Sequence, residues 1–231
     1  PVADETLDEL RRRTPEIAGV TTHWIANRDQ ITAWAEMISE ADARMFGEPS
    51  MRAAFLSKVR FDAPVTAEVD QGLCLASLEI SAPQRTALRL MRIMPDWLLK
   101  LGGARRVFAA AARKLVTHSA GLCVVAAPDE SHASDLLVGR AMQRAWLALA
   151  AHGLAAQPMM SLMVLDNALQ HGSDRLIACL GRQNLERLKR KTLDLLPGIA
   201  ASRPAFLLRF GYAAAPSART GRLPLEASVK E

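Results

Sequence analysis

At 231 residues the chain can form one large domain with a proper core, or at most two small ones. Half of the residues are hydrophobic and 23% are charged, which excludes a disordered chain. A formal charge of +5 permits an anionic ligand without requiring one, and three widely spaced cysteines (Cys74, Cys123, Cys179) with no CxxC pair signal neither a disulfide framework nor a zinc site.

The chain begins at Pro1, which fits loss of an initiator Met or a cut from something longer; Asp4, Glu5, Asp8 and Glu9 make the start acidic, unlike a signal peptide. Residues 4–13 read as a short helix ending in Arg11-Arg12-Arg13. Residues 20–26 are β-branched and aromatic, as strands prefer. A long helix is expected from Arg28 to Phe46, because Ile31, Trp34, Ala35 and Ile38 recur at helical spacing. Another covers Met51 to Val59. Residues 62–83, with Asp70-Gln71-Gly72, read as a long loop or short strands.

From Pro83 to Thr117 the pattern is helical but broken at Pro95 and Gly102-Gly103. This stretch is basic, with Asp96 its single acid. It suits either a helical lid or dimer-packing insertion over a ligand pocket, or a segment lying on an anionic membrane surface; the lid is preferred. Residues 121–127 form a short apolar run ending at Pro128, as a strand covered on both faces would. Cys123 within it is a buried thiol, in keeping with a reducing cytoplasm. Ser131 or Ser134 caps the next helix, which runs to about His152 and stops at Gly153. Its polar residues form one narrow stripe, so burial on most sides is expected. A helix from Gln183 to Leu193 and a strand over 205–212 complete the order. Strands few and mixed among helices give an α+β fold class, read as one domain over 1–231.

Three segments together resemble the nitroreductase-like flavoprotein family. They are the strand at 121–127 with the helix carrying Gly139-Arg140-Ala141-Met142-Gln143-Arg144-Ala145-Trp146-Leu147; the run Gly153-Leu154-Ala155-Ala156-Gln157-Pro158-Met159-Met160; and Leu207-Leu208-Arg209-Phe210-Gly211-Tyr212 followed by Ala218 to Glu226. Residues 20–80 match more loosely, in the manner of the divergent branch often fused to a ThiF-type domain. The resemblance implies a central mixed or antiparallel sheet flanked by helices, and a homodimer. It also implies FMN as cofactor, NAD(P)H as co-substrate, a small organic electron acceptor, and flavin-borne chemistry with no catalytic side chain. It places Arg222 and Arg219 on the flavin phosphate, which a guanidinium fork suits. It places the loop Pro158, Met159, Met160 and Ser161 at the flavin ring, with backbone N–H groups of Met160 and Ser161 as donors. On the residues alone, the two arginines are equally well solvated cations, and Pro158-Met159-Met160 a packed loop.

The chain departs from that pattern at its front. The family opens with an R-R-S-x-R segment on the same phosphate, whereas Arg11-Arg12-Arg13 runs into Thr14-Pro15. A catalytically degenerate flavin-fold domain with a binding, sequestering or interaction role is therefore the alternative. The five histidines are scattered, so no metal site is expected. The basic run 182–191 lacks aromatics and contains Glu186, so it reads as a solvated helix face and not a nucleic-acid site. No segment reaches the ~18 apolar residues of a membrane span. The expected location is the cytoplasm.

Overall fold

The computed structural model describes residues 2–61, 72–78, 80–101, 103–196, 203–216 and 218. In chain order the elements are α1 (Asp4–Arg13), β1 (Thr21–Ile25), α2 (Arg28–Gly47), α3 (Pro49–Lys58), β2 (Val59–Arg60) and β3 (Leu73–Cys74). A 3-10 turn at Leu75–Leu78 leads to α4 (Ala82–Ile93), α5 (Asp96–Leu101) and α6 (Ala104–Thr117). Then come β4 (Gly121–Ala127), α7 (His132–Ala151), β5 (Ala155–Pro158), α8 (Ser161–His171), α9 (Asp174–Leu180), α10 (Arg182–Asp194) and β6 (Arg203–Gly211). The architecture is α+β. The described residues fall into two compact units, those within Pro1–Met45 and Arg105–Ala213, and those within Phe46–Ala104 and Ala214–Glu231.

The first unit is built on a four-stranded antiparallel sheet in the order β1-β4-β6-β5. β4 is central, and all seven of its residues are buried. This matches its unbroken apolar sequence, since a strand with neighbours on both faces has no solvent side to mark with polar residues. Along β4, Cys123, Val125 and Ala127 face one way. They pack with Leu7 and Leu10 of α1 and with Val138, Ala141, Ala145 and Leu149 of α7. Helices α8 and α10 contact β6.

Helix α2 carries a fully buried stripe of Ile31, Trp34, Ala35, Ile38 and Ala41. Its polar side is tied to its neighbours. Ser39 Oγ donates to Ala109 O of α6 at 2.9 Å, and Glu40 Oε1 accepts from Arg44 at 3.0 Å and from Arg187 of α10. Arg44 also donates to Leu180 O at the end of α9.

The structure corrects the expectation for α7. Only the stripe of Ser134, Val138, Ala141, Ala145, Ala148 and Leu149 is buried. Leu136, Leu147 and Trp146 are 74%, 60% and 38% exposed. Apolar content identified a second apolar face, but that face is left exposed among the described residues. The cap is Ser131, whose side chain accepts from Ser134 N. Three elements were not foreseen. Residues around 157–161, read as loop, form β5 and the start of α8, and α9 follows.

The second unit, by itself, packs α3, the parallel pair β2–β3, α4 and α5. Arg52 of α3 is buried, donates to Phe46 O at 2.9 Å and pairs with Asp96 of α5. Phe46 and Phe55 meet edge to face at 5.1 Å, and the Arg92 guanidinium lies over the Phe61 ring. The break foreseen at Pro95 separates α4 from α5, and Gly103 lies between α5 and α6; Gly102 lies outside the described residues.

Candidate cofactor site

The candidate loop follows from how α7 ends. Gly153, at φ +66, turns the chain with its N–H bonded to Ala150 O, and β5 then pairs with the last turn-ward half of β6. Pro158 closes that pairing opposite Leu208. Met159 extends it by one bond, N–H to Leu207 O at 2.9 Å, and its side chain is buried. Of the four loop residues assigned from sequence, Pro158 has no N–H and Met159 has spent its own on the sheet.

Met160 and Ser161 differ. Met160 is the N-cap of α8 and has no side-chain oxygen with which to cap it. The first α-helical bond of α8 is Val164 N–H to Met160 O. The N–H groups ahead of it therefore lack intrahelical acceptors, and the positive end of the helix dipole points out of this turn. Ser161 is buried, and its Oγ makes no hydrogen bond of standard geometry among the described residues. The uncapped helix start and the adjacent Ser161 hydroxyl form a donor set that the Asp42 carboxyl faces.

Asp42 of α2 adjoins this turn. Burial pushes its carboxyl up to about 6, and the neighbouring Ser161 hydroxyl pulls against that rise. The Asp42 carboxyl is the acceptor that faces the Ser161 hydroxyl, and that contact opposes the rise. Nothing in the local sequence of α2 marks Asp42; only the tertiary packing brings it here.

A pocket of about 290 Å³ opens beside the same helix, within the first unit. Leu162, Met163 and Leu165 of α8 and Leu185 and Leu188 of α10 give it apolar walls, and Pro128, Asp129, Arg203 and Pro204 line another side. Its two basic residues are each ion-paired. Lys189 Nζ lies 3.0 Å from Asp166 Oδ1, and Arg203 pairs with Asp135 at 2.5 Å. Asp129 accepts from both the N–H and Oγ of Ser131 and from Ser134 Oγ, which holds its carboxyl down at about 2. That cluster caps α7 and is structural.

Arg219 and Arg222 lie outside the described residues. The front arginines are described, and they are engaged locally. Arg11 pairs with Asp8 at 2.7 Å, and Arg12 and Arg13 each pair with Glu9 at 2.6 Å, all within α1.

No family model matches the chain. It is 23% identical over 211 residues to the uncharacterized protein MT1398 of Mycobacterium tuberculosis, an alignment that covers 90% of this chain and 29% of that protein. The chain thus spans under a third of the curated relative it matches. Among solved structures, it is similar to the FMN-dependent nitroreductase NfnB of Mycobacterium smegmatis in complex with NADPH. The identity is 18% and the TM-score 0.48, with 100% of this chain and 89% of that chain covered.

Proposed function

We propose that the chain is an FMN-binding oxidoreductase of nitroreductase-like fold, passing electrons from NAD(P)H to a nitro- or quinone-like organic acceptor. The observation that carries the reading is the start of α8. Its N–H groups have no side-chain cap and the Ser161 hydroxyl beside them is buried, at the loop where the resemblance places the flavin ring. The ring edge of a flavin offers acceptor atoms that such donors suit. Bound FMN would supply the hydride transfer itself, so no side-chain acid or base is required. Met160 and Ser161 would orient the ring and favour negative charge on it, Pro158 and Met159 would fix the loop to β6, and Arg219 with Arg222 would hold the phosphate.

The homodimer belongs to the same proposal. The exposed apolar face of α7, with Leu136, Trp146 and Leu147, is what a second copy would bury. So does the divergent, ThiF-fused branch; the relative that the chain matches is a longer protein, of which 29% is covered. We also place the protein in the cytoplasm; no helix among the described residues is long and apolar enough to cross a membrane.

The test is direct. The purified protein should be yellow or take up added FMN, and NADH or NADPH should bleach it. Colourless protein that also fails to take up FMN overturns the reading. The alternative, a degenerate flavin fold with a binding role, is favoured by the α1 arginines, which are paired with Asp8 and Glu9. Flavin colour without bleaching by either nicotinamide would select it.

A further inference from the structure

The proposed function makes no use of the cavity of about 290 Å³ within the first unit. Its walls come from two helices. Leu162 and Leu165 recur at i and i+3 on α8, and Leu185 and Leu188 do the same on α10, so each pair lies on one helix face. All four are buried, yet they leave a space between them. Protein interiors are close-packed and hold few voids larger than a water molecule. A leucine-lined space suits an apolar body, since water finds few polar partners there. The volume is at the lower end of small-molecule sites, which fits an occupant of about ten heavy atoms.

The mouth is acidic. β4 and β6 end their pairing with Ala127 opposite Arg203, and the chain leaves β4 through Pro128, Asp129 and Glu130, which line the cavity together with Arg203. Both cations of the lining are engaged, Lys189 with Asp166 and Arg203 with Asp135. Asp129 is held ionised by the Ser131 N–H and by the Ser131 and Ser134 hydroxyls, neutral donors that leave its charge in place. Glu130 is exposed and makes no ion pair among the described residues. Four carboxylates, Asp135 included, thus stand against two cations. The residues of this unit outside the described ones, Pro1 and 197–202, include no Asp, Glu, Lys or Arg, so their side chains do not alter that balance.

We propose that this cavity binds a small apolar amine, with its hydrocarbon body between α8 and α10 and its ammonium at the mouth beside Glu130 and Asp129. A neutral molecule of the same shape would lose the charge attraction, and a carboxylate would be repelled. The inference is independent of whether FMN binds.

The experiment titrates the full chain calorimetrically with three probes of similar shape: 2-phenylethylamine, 2-phenylethanol and 3-phenylpropionate. The amine is expected to bind with a Kd of roughly 1 mM or tighter, a level within reach of so small a ligand. Its affinity should exceed that of the alcohol about threefold and that of the carboxylate about tenfold. Glu130→Gln, at an exposed turn, should weaken the amine about threefold, the scale of an exposed ion pair, and leave the alcohol and the thermal melt unchanged. Glu5→Gln removes the same charge from the exposed start of α1 and should change nothing. Leu193→Trp fills the cavity from its half-buried wall and should abolish binding of amine and alcohol alike; if it fails to fold, Glu130→Gln still decides. Saturating FMN should leave the amine affinity as it was. Absence of amine binding overturns the proposal, as do equal affinities for the three probes or a preference for the carboxylate. So does amine binding that Glu130→Gln or a folded Leu193→Trp leaves intact, or that Glu5→Gln weakens as much as Glu130→Gln. Competition by FMN overturns it too, because the amine would then occupy the flavin site.

Discussion

Arg209 of β6 and Gln157 of β5 stand directly opposite each other, and Arg209 Nε donates to Gln157 Oε1 at 2.7 Å. Arg209 Nη1 also donates to Leu115 O of α6 at 3.3 Å. One guanidinium thus ties a four-residue edge strand to the sheet and the sheet to a helix. Burial lowers the Arg209 pKa, so the group is held there against a desolvation cost.

Arg209→Ala should loosen β5, and with it the loop that carries Met159 to Ser161. A charge-assisted bond of this kind, discounted for partial exposure, is worth about 1 kcal/mol. The melting temperature should fall by roughly 2–4 °C. Arg209→Lys should not restore it, because one ammonium cannot span both acceptors in the fork geometry. Thermal unfolding followed by circular dichroism checks both; an unchanged melt for Arg209→Ala removes the tie.

Gly121 is needed for the close approach of three strands. A Cβ there would meet Phe210 Cζ at 2.4 Å and Ile25 O at 2.8 Å. Phe210 cannot easily yield, because it is buried and packs edge-on against Trp24 at 5.5 Å. Gly121→Ala should cost about 1–3 kcal/mol by overpacking. Adding Phe210→Leu should recover only part of the loss, since the Ile25 carbonyl remains in the way. Strict additivity of the two changes in urea unfolding would count against this account.

Local signals made much of this fold legible in the sequence. The apolar period of α2, the unbroken run of β4 and the breaks at Pro95 and Gly103 each depend on neighbours within a few residues. Helix α8 was missed because Met160 occupies the cap and no Ser, Thr, Asp or Asn announces the start. Strand β5 was missed because four residues ending in Pro158 look like a turn until β6 arrives to pair with them. Ser161 was assigned for its backbone, and its buried hydroxyl emerged only from packing. Asp42 was invisible for the same reason, as Ser161 is far away in sequence. The Arg11-Arg12-Arg13 run departs from the family pattern at Thr14-Pro15, and its side chains are ion-paired within α1. The arginines assigned to the phosphate, Arg219 and Arg222, lie outside the described residues.

The Asp42 carboxyl should make stability depend on pH in the opposite sense to an ordinary acid. Its folded pKa is pushed up to about 6 from the usual 3.8. Between those values the folded state holds more protons than the unfolded state, so stability falls as pH rises. The contribution is fully present below pH ~4 and lost as pH climbs through about 6. Two pKa steps set a ceiling near ~3 kcal/mol, and the remaining solvent contact brings the expected loss to about 1–2 kcal/mol. Asp42→Asn should therefore be more stable than the parent at pH 7.5 and no more stable at pH 4. Parallel melts at the two values decide it, and a pH-independent difference would falsify the assignment.

Ser161→Ala separates a binding hydroxyl from a structural one. If Ser161 Oγ serves only a bound ligand, its removal from the protein alone relieves a desolvated group and should leave stability unchanged or raise it by up to ~1 kcal/mol. If the hydroxyl meets a flavin acceptor, the same change deletes about 1 kcal/mol of binding, or roughly a fivefold weaker FMN affinity. Were Ser161 instead a structural partner of Asp42, its loss would destabilise the apoprotein and drive the Asp42 titration higher still. The apoprotein melt, the FMN titration and the pH dependence of stability give opposite signs for the two roles. A destabilised apoprotein with unaltered FMN affinity would remove Ser161 from the cofactor site and leave the backbone at the start of α8 as its remaining donor.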